Sequence, residues 1–152
     1  MADLKERLRA DLTASMRDRD EVRTATIRMV LTAITNAEVA GAAARDLSDD
    51  EIIGVLSKEA KKRREAAEAF RDGGRRDSAE REDAEAEIIA EYLPTPLTGD
   101  ELAALVDAAV AETGASSLRD MGAVMKHLAP QVAGRADGRL VADTVKSRLA
   151  GA

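Results

Sequence analysis

The sequence has no cysteine, which excludes disulfide bonds, thiolate catalysis and metal sites built on cysteine ligands. Aromatic side chains are almost as scarce, since Phe70 and Tyr92 are the only rings. Two rings are too few for a surface that binds RNA by stacking bases on aromatic side chains. No apolar run approaches the roughly 20 residues that span a bilayer, and the charged N-terminal segment is unlike a secretory signal. We therefore expect a cytoplasmic protein with no membrane partner.

The residues that are abundant favour helices. Hydrophobic residues make up 45% of the 152 residues and charged residues 34%, with Ala, Glu, Leu, Arg and Asp dominant. These are mostly helix formers, and apolar positions recur at helical spacing without strand-like alternation. We expect an all-α protein with an N-terminal domain of about four helices (1–93), a proline hinge (94–97) and a small C-terminal three-helix domain (98–152). Pro94 and Pro96 mark the hinge because proline stops helix propagation.

Two positions carry the strongest signals for the start of a helix. Ser48 with Glu51, and Thr98 with Glu101, form capping boxes in which side chains satisfy the first free N–H groups of a helix. A glycine pair that begins at Gly73 predicts the end of the third helix.

Four polar residues interrupt the apolar pattern of the second helix, which we expect from Glu21 to about Ala40. A charge on an amphipathic helix usually belongs to its solvated face, so solvation or inter-helix salt bridges are favoured here over a ligand site. The residues concerned are Arg23, Arg28, Asn36 and Glu38.

The stretch Lys58–Arg76 is basic, with eight basic residues against four acidic ones, and a strongly acidic stretch follows it at 77–91. The basic stretch is either a patch for RNA phosphates or an exposed helix whose charges are paired by acids three and four residues away. The acidic stretch also predicts a return arm that packs on the basic helix and neutralises it. The sequence leaves these alternatives open.

The last third of the chain carries the strongest candidate for a binding site. From Ser117 onward six basic residues oppose three acidic ones, a balance of +3 within a chain of net charge −6. A helix that begins near Leu118 is expected to stop near Ala129, because Pro130 cannot easily continue it. The loop GRADG follows at 134–138 and leads into a last short helix.

Two interpretations of the GRADG loop are possible. Its two glycines permit a positive φ, and arginines beside a helix N-terminus suit a phosphate group. The spacing alone favours a simple glycine turn in which Asp137 caps the next helix, because glycine turns with arginines are common.

Longer motifs resemble a known family. The run MGAVMKHLAPQVAGRADGRLVADTVKSRL resembles the C-terminal module of the GatB/YqeY-like family, which also ends the B subunit of tRNA-dependent amidotransferases. The segments RTATIRMVLTAITNAEV, KEAKKRREAAEAF and EYLPTPLTGDEL resemble the stand-alone YqeY-type proteins. The resemblance spans nearly the whole chain and favours a free-standing YqeY-like protein over a fragment of the amidotransferase subunit.

The resemblance implies a function in tRNA recognition. The related tail of the amidotransferase subunit contacts tRNA, whereas amide-forming and ammonia-generating chemistry reside in other domains and subunits. We therefore expect a non-catalytic tRNA-binding protein without cofactor, metal or DNA partner. Replacing Arg135 and Arg139 by alanine is expected to lower affinity without altering thermal stability. The candidate RNA-binding residues are Arg119, Lys126, Gly134, Arg135, Gly138, Arg139 and Lys146.

Two other functions remain as alternatives. The first is a protein-interaction adaptor in aminoacyl-tRNA metabolism that binds no RNA and docks a protein of that pathway on the N-terminal helices. The second, and less favoured, is a carbon–nitrogen ligase that uses glutamine as amide donor. No catalytic residue is predicted, because His127 is the only histidine and has no nucleophile placed to form a triad with it. A surface histidine is expected instead.

Overall fold

The computed structural model of the chain describes residues 3–151, and within that range it consists of helices and connecting loops without a strand. The all-α prediction is confirmed. Residues 1, 2 and 152, at the outer ends of the two predicted domains, lie outside the described residues. None of the described helices is both long and apolar enough to cross a membrane. The helices are α1 Asp3–Arg17, α2 Glu21–Val39, α3 Asp49–Asp72, α4 Arg76–Ala90, α5 Gly99–Thr113, α6 Met121–Val132 and α7 Gly138–Ala150, with a short 3₁₀ turn at Leu118–Asp120.

The chain forms two compact units, Met1–Leu93 with α1 to α4 and Pro94–Ala152 with α5 to α7. Each unit has its own core of mainly aliphatic side chains, which allows neighbouring helices to approach closely. The N-terminal core contains Leu8, Ile27, Val30, Ile34, Leu47, Ile52, Leu56, Ala60, Ile89 and Tyr92. The C-terminal core contains Leu102, Val106, Ala109, Val124, Leu128, Val132, Val141, Val145 and Leu149.

The basic stretch Lys58–Arg76 is paired with the acidic helix that follows it. The α3–α4 contact is the most extensive helix contact of the N-terminal unit. Across it, Arg63 lies 3.6 Å from Glu82, and Arg71 forms an ion pair with Asp83. The return arm predicted from the acidic stretch is therefore present, and part of the positive charge is neutralised inside the hairpin.

Two of the four polar residues of α2 form inter-helix ion pairs, the arrangement that the sequence favoured. The Nζ atom of Lys5 on α1 lies 2.8 Å from the Glu38 carboxylate, which is almost buried. The Arg23 guanidinium lies 2.9 Å from the carboxylate of Glu91 at the end of α4. The other two residues are exposed. The ion pairs tie α2 to the helices on both sides of it.

Both predicted capping boxes are formed. The side chains of Ser48 and Thr98 accept the N–H groups of Glu51 and Glu101, whose carboxylates accept the N–H groups of the caps in return. Hydrogen bonds from the Arg45 guanidinium and from the Ser48 backbone lower the pKa of Glu51 to about 2.

The turn between α1 and α2 contains a residue in the left-handed conformation. Arg19 has a φ of 57°. Its N–H donates to the carbonyl oxygen of Met16 at 3.2 Å, and the N–H of Asp20 donates to that of Ser15 at 3.0 Å. Glycine is the usual residue for this way of ending a helix. Asp20 then caps α2 by accepting the N–H of Arg23 at 3.0 Å.

The helix before the GRADG loop is longer than predicted. It includes Pro130 and ends at Val132, so the expected end near Ala129 is wrong. The proline lies on the exposed side of the helix and removes one backbone hydrogen bond. Val132 continues the buried stripe of Val124 and Leu128 at four-residue spacing. Burial of this last valine offsets the lost bond.

Replacing Arg19 by glycine is expected to stabilise the chain by about 1 kcal/mol, because a left-handed backbone is strained for a residue with a Cβ atom. Urea denaturation followed by circular dichroism measures the change. The control is Gly114→Ala at the end of α5, where φ is 69°. That variant is expected to lose stability for the same reason. A loss of stability in Arg19→Gly would contradict the role given to this turn.

The lowered pKa of Glu51 predicts that its contribution to the free energy of unfolding depends on pH. Because the pKa is lowered by folding, the contribution is complete above the ordinary value of 4.5 and is lost as the pH falls towards about 2. Urea denaturation at a series of pH values measures the free energy of unfolding as a function of pH. In Glu51→Gln this free energy should fall less steeply as the pH drops below 4.5. The control Glu87→Gln removes an exposed carboxylate that forms no cap. The same shallower fall in both variants would refute the assignment to Glu51.

Candidate nucleic-acid interface

The candidate site lies in the C-terminal unit, where α6, a loop (133–137) and α7 follow one another. Both helices contribute to the same core, which holds them against each other. The loop turns at Gly134, whose φ is 71°. Gly138 begins α7 without a positive φ, and a Cβ atom there would meet no neighbour within 4 Å. Only the first of the two glycines therefore uses the conformational freedom that the sequence suggested for both.

Arg135 makes contacts within its own unit. Its Nε–H donates to the carbonyl oxygen of Thr95 at 3.0 Å, and its own carbonyl oxygen accepts the N–H of Leu97 at 2.8 Å. Its charge also helps to lower the pKa of the Glu101 carboxyl, after the larger effect of hydrogen bonds from Thr98. We call residues 94–97 the proline segment, and the two hydrogen bonds of Arg135 with Thr95 and Leu97 the Arg135 clamp. The clamp gives Arg135 a structural role that the sequence did not predict.

The N-terminus of α7 is capped by its own chain. The Asp137 carboxylate accepts the N–H of Arg139 at 2.9 Å, as predicted for a helix cap. A carboxylate in this position already interacts with the positive end of the helix dipole. A phosphate would therefore be bound by neighbouring cationic side chains more readily than by the first N–H groups of the helix.

Four of the predicted cations are exposed and form no ion pair within residues 3–151. We call Arg119, Lys126, Arg139 and Lys146 the open cations. The last two are seven residues apart and share one side of α7, although Asp143 on the same side reduces the local charge. Because α7 packs against both α6 and the 3₁₀ turn, all four project from one small helical assembly.

Two other basic groups of this unit are paired with α5. Arg148 Nε lies 2.6 Å from an Asp107 oxygen, and His127 Nε2 lies 2.5 Å from a Glu112 oxygen. His127 is a partly exposed surface histidine, as predicted. Asp107 is 41 residues from Arg148, so no local pattern pointed to this pair. Among the residues that the structure describes, no three histidine, aspartate or glutamate side chains could together hold a metal ion.

A cluster that the sequence did not predict lies at the end of the N-terminal unit. Tyr92 is 6% exposed, its hydroxyl donates to the Asp11 carboxylate, and the Arg7 guanidinium lies 4.6 Å from the centre of its ring. Burial, reinforced by Asp11, raises the pKa of Tyr92. The hydrogen bond from the hydroxyl ties the segment that follows α4 to α1. The two bonded residues are 81 positions apart, beyond the reach of any local pattern.

Comparison with known proteins decides the family. A family model described as Yqey-like protein matches residues 5–149, nearly the whole chain. The chain belongs to the YqeY-like family. The resemblance to stand-alone YqeY-type proteins is thereby confirmed.

Two relatives of this YqeY-like chain share one name, "Altered inheritance of mitochondria protein 41, mitochondrial". The protein from Lachancea thermotolerans is 37% identical over 86 residues, which are 57% of this chain and 46% of the relative. The protein from Clavispora lusitaniae is 36% identical over 95 residues, which are 62% of this chain and 54% of the relative. The chain spans about half the length of these curated relatives.

The Arg135 clamp makes alanine at this position costly, contrary to the expectation from sequence. Arg135→Ala should destabilise the C-terminal unit by about 1–2 kcal/mol, because the side-chain hydrogen bond to Thr95 is lost. Thermal and urea denaturation measure the effect. Arg139→Ala is the matched control and should leave stability unchanged, since its side chain is exposed and unpaired. Equal stability of the two variants would contradict the clamp.

Proposed function

We propose that this YqeY-like chain is a non-catalytic RNA-binding protein whose C-terminal unit contacts structured RNA of the tRNA class. The observation that carries the proposal is the exposure of the four open cations without an internal ion-pair partner. A cation that is already paired must give up that pair when it binds phosphate, which reduces the net gain in free energy. The open cations have no such pair to lose.

The chemistry of the C-terminal unit favours contacts with the RNA backbone. That unit contains no Phe, Tyr or Trp, because Phe70 and Tyr92 both precede residue 94. Its one imidazole, His127, is paired with Glu112. The cations would therefore bind phosphates and read the shape of the RNA. The net charge of −6 opposes long-range attraction. Binding through four cations is then modest, with a slope of log K against log salt of about −3.

The three remaining candidate residues shape the loop between α6 and α7. Gly134 provides the positive φ of the loop, and Arg135 clamps the loop to the proline segment. Gly138, at the start of α7, leaves open space beside the exposed Arg139. We assign these residues to the shape of the site and the open cations to its contacts.

The resemblance to the tail of the amidotransferase B subunit supports tRNA as the RNA class. Only the tail module of that subunit resembles this chain, so recognition of tRNA is proposed and carbon–nitrogen ligation is not. The cytoplasmic location expected from the sequence is not supported by the two named relatives, which are mitochondrial proteins. The alternative function is the adaptor of aminoacyl-tRNA metabolism that docks a protein and binds no RNA.

Fluorescence anisotropy with total tRNA at several salt concentrations tests the proposal. The wild-type chain should bind at low salt and lose affinity as salt rises. Arg139→Ala combined with Lys146→Ala should weaken binding about tenfold or more and make the salt slope shallower by about 2. No binding at low salt would refute RNA recognition and favour the adaptor.

The matched control removes the same charge from the other unit. Lys58 and Arg64 are exposed on α3, so their double alanine variant has the same net charge as the C-terminal double variant. It should bind tRNA like the wild-type chain. An equal loss of affinity in the two double variants would show that net charge, and not the C-terminal site, determines binding.

A further inference from the structure

The outer side of α2 is a surface with few charges on a highly charged protein. Although 34% of the residues are charged, this side has only two charges over five turns of helix. The two charges, Glu21 and Arg28, are seven residues apart and therefore point in the same direction. The exposed residues of this side are Glu21, Ala25, Arg28, Thr32, Thr35, Asn36 and Val39.

A groove of about 400 Å³ lies beside the first half of this surface. Met16, near the end of α1, lines the groove and is 43% exposed. The Arg28 guanidinium donates to the Sδ atom of Met16 at 3.2 Å, and neither Arg28 nor Glu21 forms an ion pair within the described residues. An exposed methionine, an exposed Ala25 and the opposite charges of Glu21 and Arg28 thus share one small area, which Arg19 also lines.

We propose that this surface binds the same surface of a second copy of the chain, with the two α2 helices crossing antiparallel at Ala25. A two-fold contact brings one patch against itself, so that each interaction occurs twice. With the axis at Ala25, Glu21 meets Arg28 of the partner subunit, and Arg28 meets Glu21 of the partner subunit. The two unpaired charges of one copy are thereby complemented by those of the other.

The small side chain at the crossing point fits this arrangement. Helices packed through their ridges and grooves lie about 8–10 Å apart, and the shorter distances need small residues at the contact. Ala25 supplies such a residue on both copies, and each exposed Met16 is covered by the partner helix. The crossing spans about two turns of each helix, less than the roughly 800 Å² per partner of a stable complex. We therefore expect a weak dimer that dissociates on dilution.

Sedimentation velocity of the full chain, from low to high micromolar concentration, tests the dimer. The wild-type chain should shift from monomer to dimer, and added salt should weaken the association. Glu21→Arg and Arg28→Glu should each raise the dimer Kd about tenfold or more, because each leaves two like-charge contacts. The double variant Glu21→Arg with Arg28→Glu restores opposite charges and should dimerise again.

Matched controls make the same charge changes elsewhere. Glu87→Arg and Arg64→Glu lie on exposed sides of α4 and α3 and should dimerise like the wild-type chain. Far-UV circular dichroism checks that every variant is folded. A wild-type chain that stays monomeric at all concentrations overturns the proposal. So does a double variant that fails to regain the dimer while it remains folded.

Discussion

Helix packing through aliphatic side chains is the constraint on which the rest of the structure depends. With Phe70 and Tyr92 as the only rings, both cores are built mainly from leucine, isoleucine, valine and alanine. Such cores leave little room between helices, and the long charged side chains are held at or near the surface. Each charged residue then either pairs with a neighbouring helix or projects into solvent. Paired charges stabilise the fold, whereas exposed unpaired charges are available to a ligand.

Both units contain charges of each kind. In the N-terminal unit, Arg63 and Arg71 of the basic stretch form ion pairs with α4, whereas Lys58 and Arg64 are exposed. In the C-terminal unit, Arg148 is paired with α5 and Arg135 is clamped to the proline segment, whereas the open cations have no internal partner. Under the proposed function, the pairing of each charge in the fold, and not the density of positive charge along the sequence, determines where RNA binds.

Local patterns were sufficient for most of the fold and for part of the candidate site. The capping boxes follow from residues close together in the chain, so spacing alone predicted them. The hairpin of α3 and α4 was suggested by the opposite charges of neighbouring stretches, and the Asp137 cap was one of two interpretations of its loop. The continuation of α6 through Pro130 was missed, because burial of Val132 outweighs a local helix breaker. The Arg135 clamp and the bond from Tyr92 to Asp11 were also missed, because their partners are 40 and 81 residues away. Tertiary contacts of this length leave no periodic signal in a single sequence.

The measurement that tests the central claim most directly is a residue-by-residue map of the RNA contact. Backbone NMR spectra of the isotope-labelled chain would be compared with and without tRNA at low salt. The account predicts that the largest changes fall on the 3₁₀ turn, the outer side of α6 and α7 around the open cations, while the α3–α4 hairpin is unaffected. Changes centred on the hairpin, or a spectrum that tRNA leaves unaltered, would contradict the account.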